Sequence, residues 1–167
     1  MNLIVAVDQA YGIGAKNGLL YNLKADMEYF KKTTLNKVVV MGSATLDSFP
    51  GGRALKNRTN ICLNPDPNAK RENVIYVKSL DELFQRLKDY NTEDVFVIGG
   101  AYVYSQLLPY CKTAYITKIE ATRPAEKFFP NIDQMPNWQL TNQSEKKEED
   151  GITFSFCTYT NVSPQKF

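Results

Sequence analysis

The amino-acid sequence predicts an α/β fold: a single domain over residues 1–167, with a central, mostly parallel, mixed β-sheet flanked by helices and ended by an antiparallel C-terminal hairpin. Three observations carry this expectation. Short apolar runs rich in β-branched residues alternate with helical patterns through the first two thirds of the chain. The last third has strand-like runs with no helix between them. Hydrophobic residues make up 43% and charged residues 23%, the balance of a globular chain and not of a disordered or repetitive one.

Taken in order, strands are expected at 3–7, 38–41, 60–63, 74–77, 95–98 and 114–119. Three helices fall between them. Residues 24–33 follow an apolar stripe of Leu23, Met27 and Phe30. Residues 80–89 open with Ser79-Leu80-Asp81-Glu82, an S-x-x-E capping box. Residues 101–108 follow Gly99-Gly100 and stop at Pro109, which cannot continue a helix. Strands alternating with helices imply a parallel sheet covered on both faces. In the tail, residues 138–144 and 153–160 flank the charged stretch 145–150 and Gly151. That pattern predicts a hairpin with the charge run as its solvated turn.

Composition also excludes. The net charge is +2 and the basic residues are scattered, whereas a nucleic-acid binder concentrates them on one face. Cys62, Cys111 and Cys157 are odd in number and far apart, matching neither a disulfide framework nor a zinc site. The chain has no histidine, the commonest metal ligand and general base. No metal is expected, and chemistry must run on carboxylates, hydroxyls, Lys, Arg or a cofactor. The N-terminus reads as a first strand, not a signal peptide, and no segment approaches a membrane span. A cytoplasmic monomer without nucleic-acid or membrane partners is the expectation.

Four places can carry chemistry. Gly12, Gly14 and Gly18 follow the first strand, but their spacing misses the G-x-G-x-x-G of a dinucleotide turn and no helix follows directly. That segment suits a flexible loop or a lid over a ligand. Asp26 lies on the flank of the apolar stripe, where burial raises a carboxyl pKa; the bland alternative is an acid placed by the helix dipole. Gly99-Gly100 and Gly42-Ser43-Ala44-Thr45 each join a strand end to a helix start. Such turns free backbone N–H groups for a pyrophosphate, with hydroxyls able to cap the helix. Two of them favour a dinucleotide beyond the C-terminal edge of the strands; the alternative is packing alone. Arg58 reads as a surface arginine unless the ligand carries a carboxylate for it to clamp.

These pieces assemble. The runs L-I-V-A-V-D at 3–8, G-I-G-A-K-N-G at 12–18 and N-L-K-A-D-M-E-Y-F-K at 22–31 keep their order with T-L-N-K-V-V-V-M-G at 34–42. V-I-G-G-A-Y-V-Y at 97–104, Y-I-T-K-I at 115–119 and F-F-P at 128–130 follow. Together they make the chain resemble bacterial dihydrofolate reductases from Leu3 to about Tyr159.

The resemblance implies NADPH-dependent reduction of 7,8-dihydrofolate to 5,6,7,8-tetrahydrofolate, with hydride transfer to C6 and protonation of N5 promoted by Asp26. It implies Tyr21 and Thr117 as further catalytic residues. It implies a substrate pocket of Ile4, Val5, Ala6, Met27, Phe30, Lys31, Phe49, Leu55, Ile98 and Tyr104, with Arg58 on the substrate's α-carboxylate. The cofactor would take Ala6, Ile13, Gly14, Asn17, Gly18, Leu19, Gly42, Ser43, Ala44, Thr45, Leu63, Asn64 and Lys78. At the other turn it would take Ile98, Gly99, Gly100, Ala101, Tyr102, Val103 and Tyr104. Gly99 and Gly100 would be joined by a cis peptide, and loop 12–20 would be a mobile lid.

Three departures from the family pattern stand out. Leu20-Tyr21 replaces Pro-Trp, which bears on the water held near the site. Ser43 replaces the basic residue that supports the adenosine 2′-phosphate, so NADH stays open as an alternative to NADPH. Ala54-Leu55-Lys56-Asn57-Arg58 loosens a Pro-Leu-Pro-Gly-Arg turn. They suggest weak binding of antifolate inhibitors, diaminopyrimidines such as trimethoprim among them. Two rivals remain: a related pyrimidine reductase of riboflavin synthesis, opposed by the N-L-x-A-D-M-x-x-F-K helix, and a non-catalytic nucleotide-binding module, opposed by the presence of Asp26.

Overall fold

The computed structural model of the chain describes residues 1–16 and 18–167. Its frame is a sheet built from β1 (Asn2–Val7), β4 (Val38–Gly42), β5 (Thr59–Leu63), β6 (Val74–Val77), β7 (Val95–Gly99) and β8 (Thr113–Ile119). It is completed by β10 (Trp138–Gln143), β11 (Lys147–Glu149) and β12 (Ile152–Asn161). The strand order is β10-β12-β8-β1-β7-β4-β5-β6, with β11 also paired to β12. The pairs from β8 through β1 to β6 are parallel; those made by β12 are antiparallel. The mixed, mostly parallel sheet read from the sequence is the one observed.

Side-chain alternation divides the core between the two faces. Leu3, Val5 and Val7 of β1 point into a cluster with Val38, Val40, Leu107 and Ile116. The intervening Ile4 points the other way, to Val39, Met41, Leu46, Phe96 and Ile98. Helices α3 (Leu80–Leu87) and α4 (Ala101–Leu107) cover the first face through Leu83, Leu87, Val103 and Leu107. Helices α1 (Lys24–Thr34) and α2 (Ser43–Asp47) stand on the second, contributing Tyr29, Phe30 and Leu46. The capping box forms: Ser79 Oγ accepts from Glu82 N–H at 3.1 Å, and the Glu82 carboxylate accepts from Lys78 N–H at 3.1 Å.

Three local expectations need correction. The glycine-rich segment is not a bare loop: β2 (Gly12–Ala15) and β3 (Gly18–Leu19) pair with each other, and β2 pairs with β9 (Lys127–Phe128). Gly12 is required there, since a Cβ would sit 2.9 Å from both Ala125 Cβ and Leu20 Cδ1. The charge run is not only a turn either. Lys147–Glu149 is a strand, and the turn shrinks to Asp150-Gly151, both at positive φ. Lastly, the hydroxyls after Gly42 do not cap α2, whose N-cap is Gly42 itself with no side-chain hydrogen bond.

Candidate active site

Helix α1 enters the domain at its N-terminal end, where Leu23 is buried and anchors it. Three residues later Asp26 turns inward, and its Oδ1 accepts a 2.6 Å hydrogen bond from Thr117 Oγ1. Thr117 is only 1% exposed. It lies in the middle of β8, paired with Ala6 on one side and Phe156 on the other. Burial holds the Asp26 carboxyl above its ordinary pKa; the Thr117 bond opposes this, and the negative charge of Glu149 adds to it. A half-buried acid with one firm donor and a raised pKa is suited to holding and releasing a proton.

Apolar side chains gather on the same face. Phe30, Phe49 and Leu55 pack against Ile4 and Ile98, while Met27 stays 57% exposed. Met27 is therefore surface presented to the open side of α1, and the apolar stripe of the helix is only partly core. Val5 departs from the expected pocket: the two-residue period of β1 sends its side chain to the opposite face, among Leu3, Val7 and Leu107. Lys31 is exposed on α1. Arg58 lines a cavity of about 630 Å³ with 54–60 and 73–75. Among the described residues, its Nε is the buried side-chain nitrogen or oxygen left without a hydrogen-bond partner.

Tyr21 packs with Leu23 and Ala25 at the start of α1 and makes its polar contacts with Asp8 and Arg123. It is buried, and its hydroxyl donates to Asp8 Oδ2 at 3.3 Å. The guanidinium of Arg123 stands 4.2 Å over its ring, and Arg123 Nη1 donates to the Leu20 carbonyl at 2.7 Å. Asp8 also accepts from the backbone N–H groups of Ala10, Gly12 and Arg123. Asp8 and Arg123 thus join the root of the glycine segment to the stretch after β8. Neither was singled out from the sequence; an acid directly after the first strand and an arginine in a loop carry no local signal of meeting.

The two glycine turns abut. The peptide between Gly99 and Gly100 is cis. Gly99 has φ +134°, and a Cβ there would lie 3.0 Å from Thr45 Oγ1; a Cβ on Gly100 would lie 3.3 Å from the same atom. A Cβ on Gly42 would meet Val103 Cγ2 at 3.2 Å and the Gly100 nitrogen at 4.0 Å. Bare backbone at the ends of neighbouring parallel strands β4 and β7 is the setting in which open α/β sheets take nucleotides. Of the other residues expected around a cofactor, Ser43, Thr45, Leu63, Asn64, Ala6, Ile13 and Ala101 are half-buried, and Gly14 is buried. Ala44, Gly18, Leu19, Lys78 and Tyr102 are exposed. The Val103 side chain is buried in the core beneath Gly42. Tyr104 is likewise buried, its hydroxyl donating to the Ile4 carbonyl at 2.7 Å. Asn17 lies outside the described residues.

Comparison with known proteins agrees with this geometry. Residues 1–161 match the family described as dihydrofolate reductase. The chain belongs to the dihydrofolate reductase family. It is 34% identical over 156 residues to the dihydrofolate reductase of Buchnera aphidicola subsp. Baizongia pistaciae, covering 93% of this chain and 92% of that one. With the dihydrofolate reductase of Bacillus subtilis it shares 33% identity over 168 residues, covering 99% and 97%. Among solved structures, a dihydrofolate reductase from Enterococcus faecalis complexed with NADP(H) and RAB-propyl superposes with a TM-score of 0.86 at 31% identity, covering 96% and 95%. A dihydrofolate reductase fold therefore extends over nearly the whole chain. No helix among the described residues is long and apolar enough to cross a membrane, and no group of His, Cys, Asp or Glu among them could hold a metal ion.

Proposed function

We propose that this member of the dihydrofolate reductase family is an NADPH-dependent oxidoreductase that reduces 7,8-dihydrofolate to 5,6,7,8-tetrahydrofolate, with Asp26 managing the proton. The observation that carries the reading is the inward Asp26 carboxylate, fixed by Thr117 and adjoined by the apolar face of Ile4, Phe30, Phe49 and Ile98. A pterin ring needs that combination: a flat apolar slot and one hydrogen-bonding acid for its amino group and ring nitrogen.

The residues present fit the cofactor. Gly42, Gly99 and Gly100 leave a side-chain-free cradle that a Cβ would fill, with the Thr45 hydroxyl at its floor. Ser43, Asn64 and Lys78 would meet the adenosine end; without a basic residue at 43, discrimination of NADPH from NADH falls to Lys78 and its neighbours. When bound, the reduced nicotinamide supplies the hydride. Asp26 orients the pterin and holds the proton destined for N5, and Thr117 keeps its carboxylate turned inward. Arg58 clamps the substrate's α-carboxylate; its unpartnered Nε and position in a large opening support that role. The enzyme works as a cytoplasmic monomer.

Mixing the purified protein with NADPH and 7,8-dihydrofolate and following the reduced-nicotinamide absorbance tests the reading. Stoichiometric cofactor oxidation is expected. Cofactor binding without oxidation would point to an inert nucleotide-binding module, and turnover confined to a pyrimidine intermediate of riboflavin synthesis would point to that reductase.

A further inference from the structure

Helix α1, which carries Asp26, begins without a cap of its own. Its N-cap position is Leu23, whose side chain makes no capping hydrogen bond. The acceptor comes from far along the chain. Glu149 on β11 takes hydrogen bonds from the backbone N–H groups of Lys24 at 2.6 Å and Ala25 at 3.0 Å, one on each carboxylate oxygen. Strand β11 is registered on β12, with Glu149 opposite Ile152 and Lys147 opposite Phe154. The same β12 pairs with β8, placing Phe156 opposite Thr117, whose hydroxyl holds the Asp26 carboxylate. The first turn of the Asp26 helix is thus tied to β12 through Glu149 of β11, and the Asp26 side chain through Thr117 of β8.

We propose that Glu149 is a positioning residue for Asp26, fixing the start of its helix and setting a negative charge beside its carboxyl group. The proposal rests on the reading of Asp26 as the group that holds the proton. It gives the charge run 145–150 a use that a solvated turn would not have. Thr117 from β8 bonds Asp26 directly, and the titratable groups whose charge is felt with it are Tyr104 from α4, Tyr29 from α1 itself and Glu149 from β11. Burial, the largest influence on Asp26, and the Glu149 charge both favour its protonated form, while the Thr117 hydrogen bond favours the ionised one. Glu149 remains ionised, its carboxylate stabilised by the Ala25 and Lys24 N–H groups.

Glu149→Gln keeps the size and one acceptor oxygen but removes the charge; Glu149→Ala removes the cap as well. Two readouts apply: carbon NMR titration of the Asp26 carboxyl in the free protein, and single-turnover cofactor oxidation against pH. In Glu149→Gln the Asp26 carboxyl is expected to titrate at lower pH than in the parent. Because the proton-holding form is lost as pH rises, the rate at pH 7 should fall about two- to fivefold while the acid limit stays unchanged. Glu149→Ala should add a drop in melting temperature of about 2–4 °C. An unmoved Asp26 titration in both variants, or a rate loss uniform across pH, would overturn the proposal. A parent protein that fails to oxidise NADPH would remove the functional reading alone, and the carboxyl titration would still decide the role of Glu149.

Discussion

Thr117 Oγ1 and Asp26 Oδ1 lie 2.6 Å apart although 91 residues separate them in the chain. The hydroxyl donates from the middle of a buried strand, so it cannot turn away, and the carboxylate it holds sits on the first turn of a helix whose exposed side opens to solvent. The carboxylate is thereby fixed at the boundary between the core and the open side of α1.

Asp26→Asn should lose about 10²–10⁴-fold of single-turnover activity at pH 7 and recover part of it in acid, where solvent protonates the substrate directly. Unchanged activity at pH 7 would take Asp26 out of the mechanism.

The same substitution should change stability with pH in a defined direction. The folded carboxyl has a raised pKa, so above the ordinary carboxylate range the folded state binds more protons than the unfolded one. Stability contributed by the neutral acid is therefore present at low pH and lost as pH rises through the folded pKa. Asp26→Asn, which cannot ionise, should be more stable than the parent at neutral pH, with the difference vanishing in acid. Denaturant titrations at several pH values measure it.

Arg123→Ala removes a donor from the Leu20 carbonyl and a cation from the Tyr21 ring. Amide hydrogen exchange should quicken in β3 and at residues 20–21, with a stability loss of about 1–2 kcal/mol after allowance for the solvent exposure of Arg123. Exchange unchanged at these amides would show that Arg123 does not hold residues 20–21 in place.

Gly99→Ala should destabilise by about 1–3 kcal/mol, because its φ of +134° disfavours any side chain and the new Cβ would press on Thr45 Oγ1 at 3.0 Å. Cofactor affinity, read by protein fluorescence quenching, should fall with it, since the cradle would be partly filled.

Inhibition by diaminopyrimidine antifolates should require concentrations well above those that stop sensitive bacterial enzymes. The motivating features are Leu20, Tyr21 held by Asp8 and Arg123, and the turn leading to Arg58. Inhibition of the purified protein at ordinary concentrations would end that expectation.

Much of this was legible in the residues. β-branched runs and their alternation with helical stripes located the parallel strands and three helices, since a buried strand and an amphipathic helix write their periods directly into the sequence. Gly99-Gly100 and Gly42 announced bare backbone at strand ends. The pairing of Gly12–Ala15 with Lys127–Phe128 was hidden, because a glycine-rich strand has no apolar period to betray it. Met27 and Val5 show a second limit of local pattern. A helix stripe does not say whether it faces core or ligand, and an apolar strand buried on both faces does not say which face the ligand takes.

Sequence by itself determined the class of sheet, the carboxylate at 26 and the glycine turns, all of which depend on local period and local backbone freedom. Only the tertiary structure decided who meets Asp26. Thr117 reaches it from the middle of β8, and Glu149 reaches its helix from a hairpin whose charges read alone as solvated. Hydrogen bonds between such distant residues depend on strand register, which the whole sheet sets at once and no local stretch encodes.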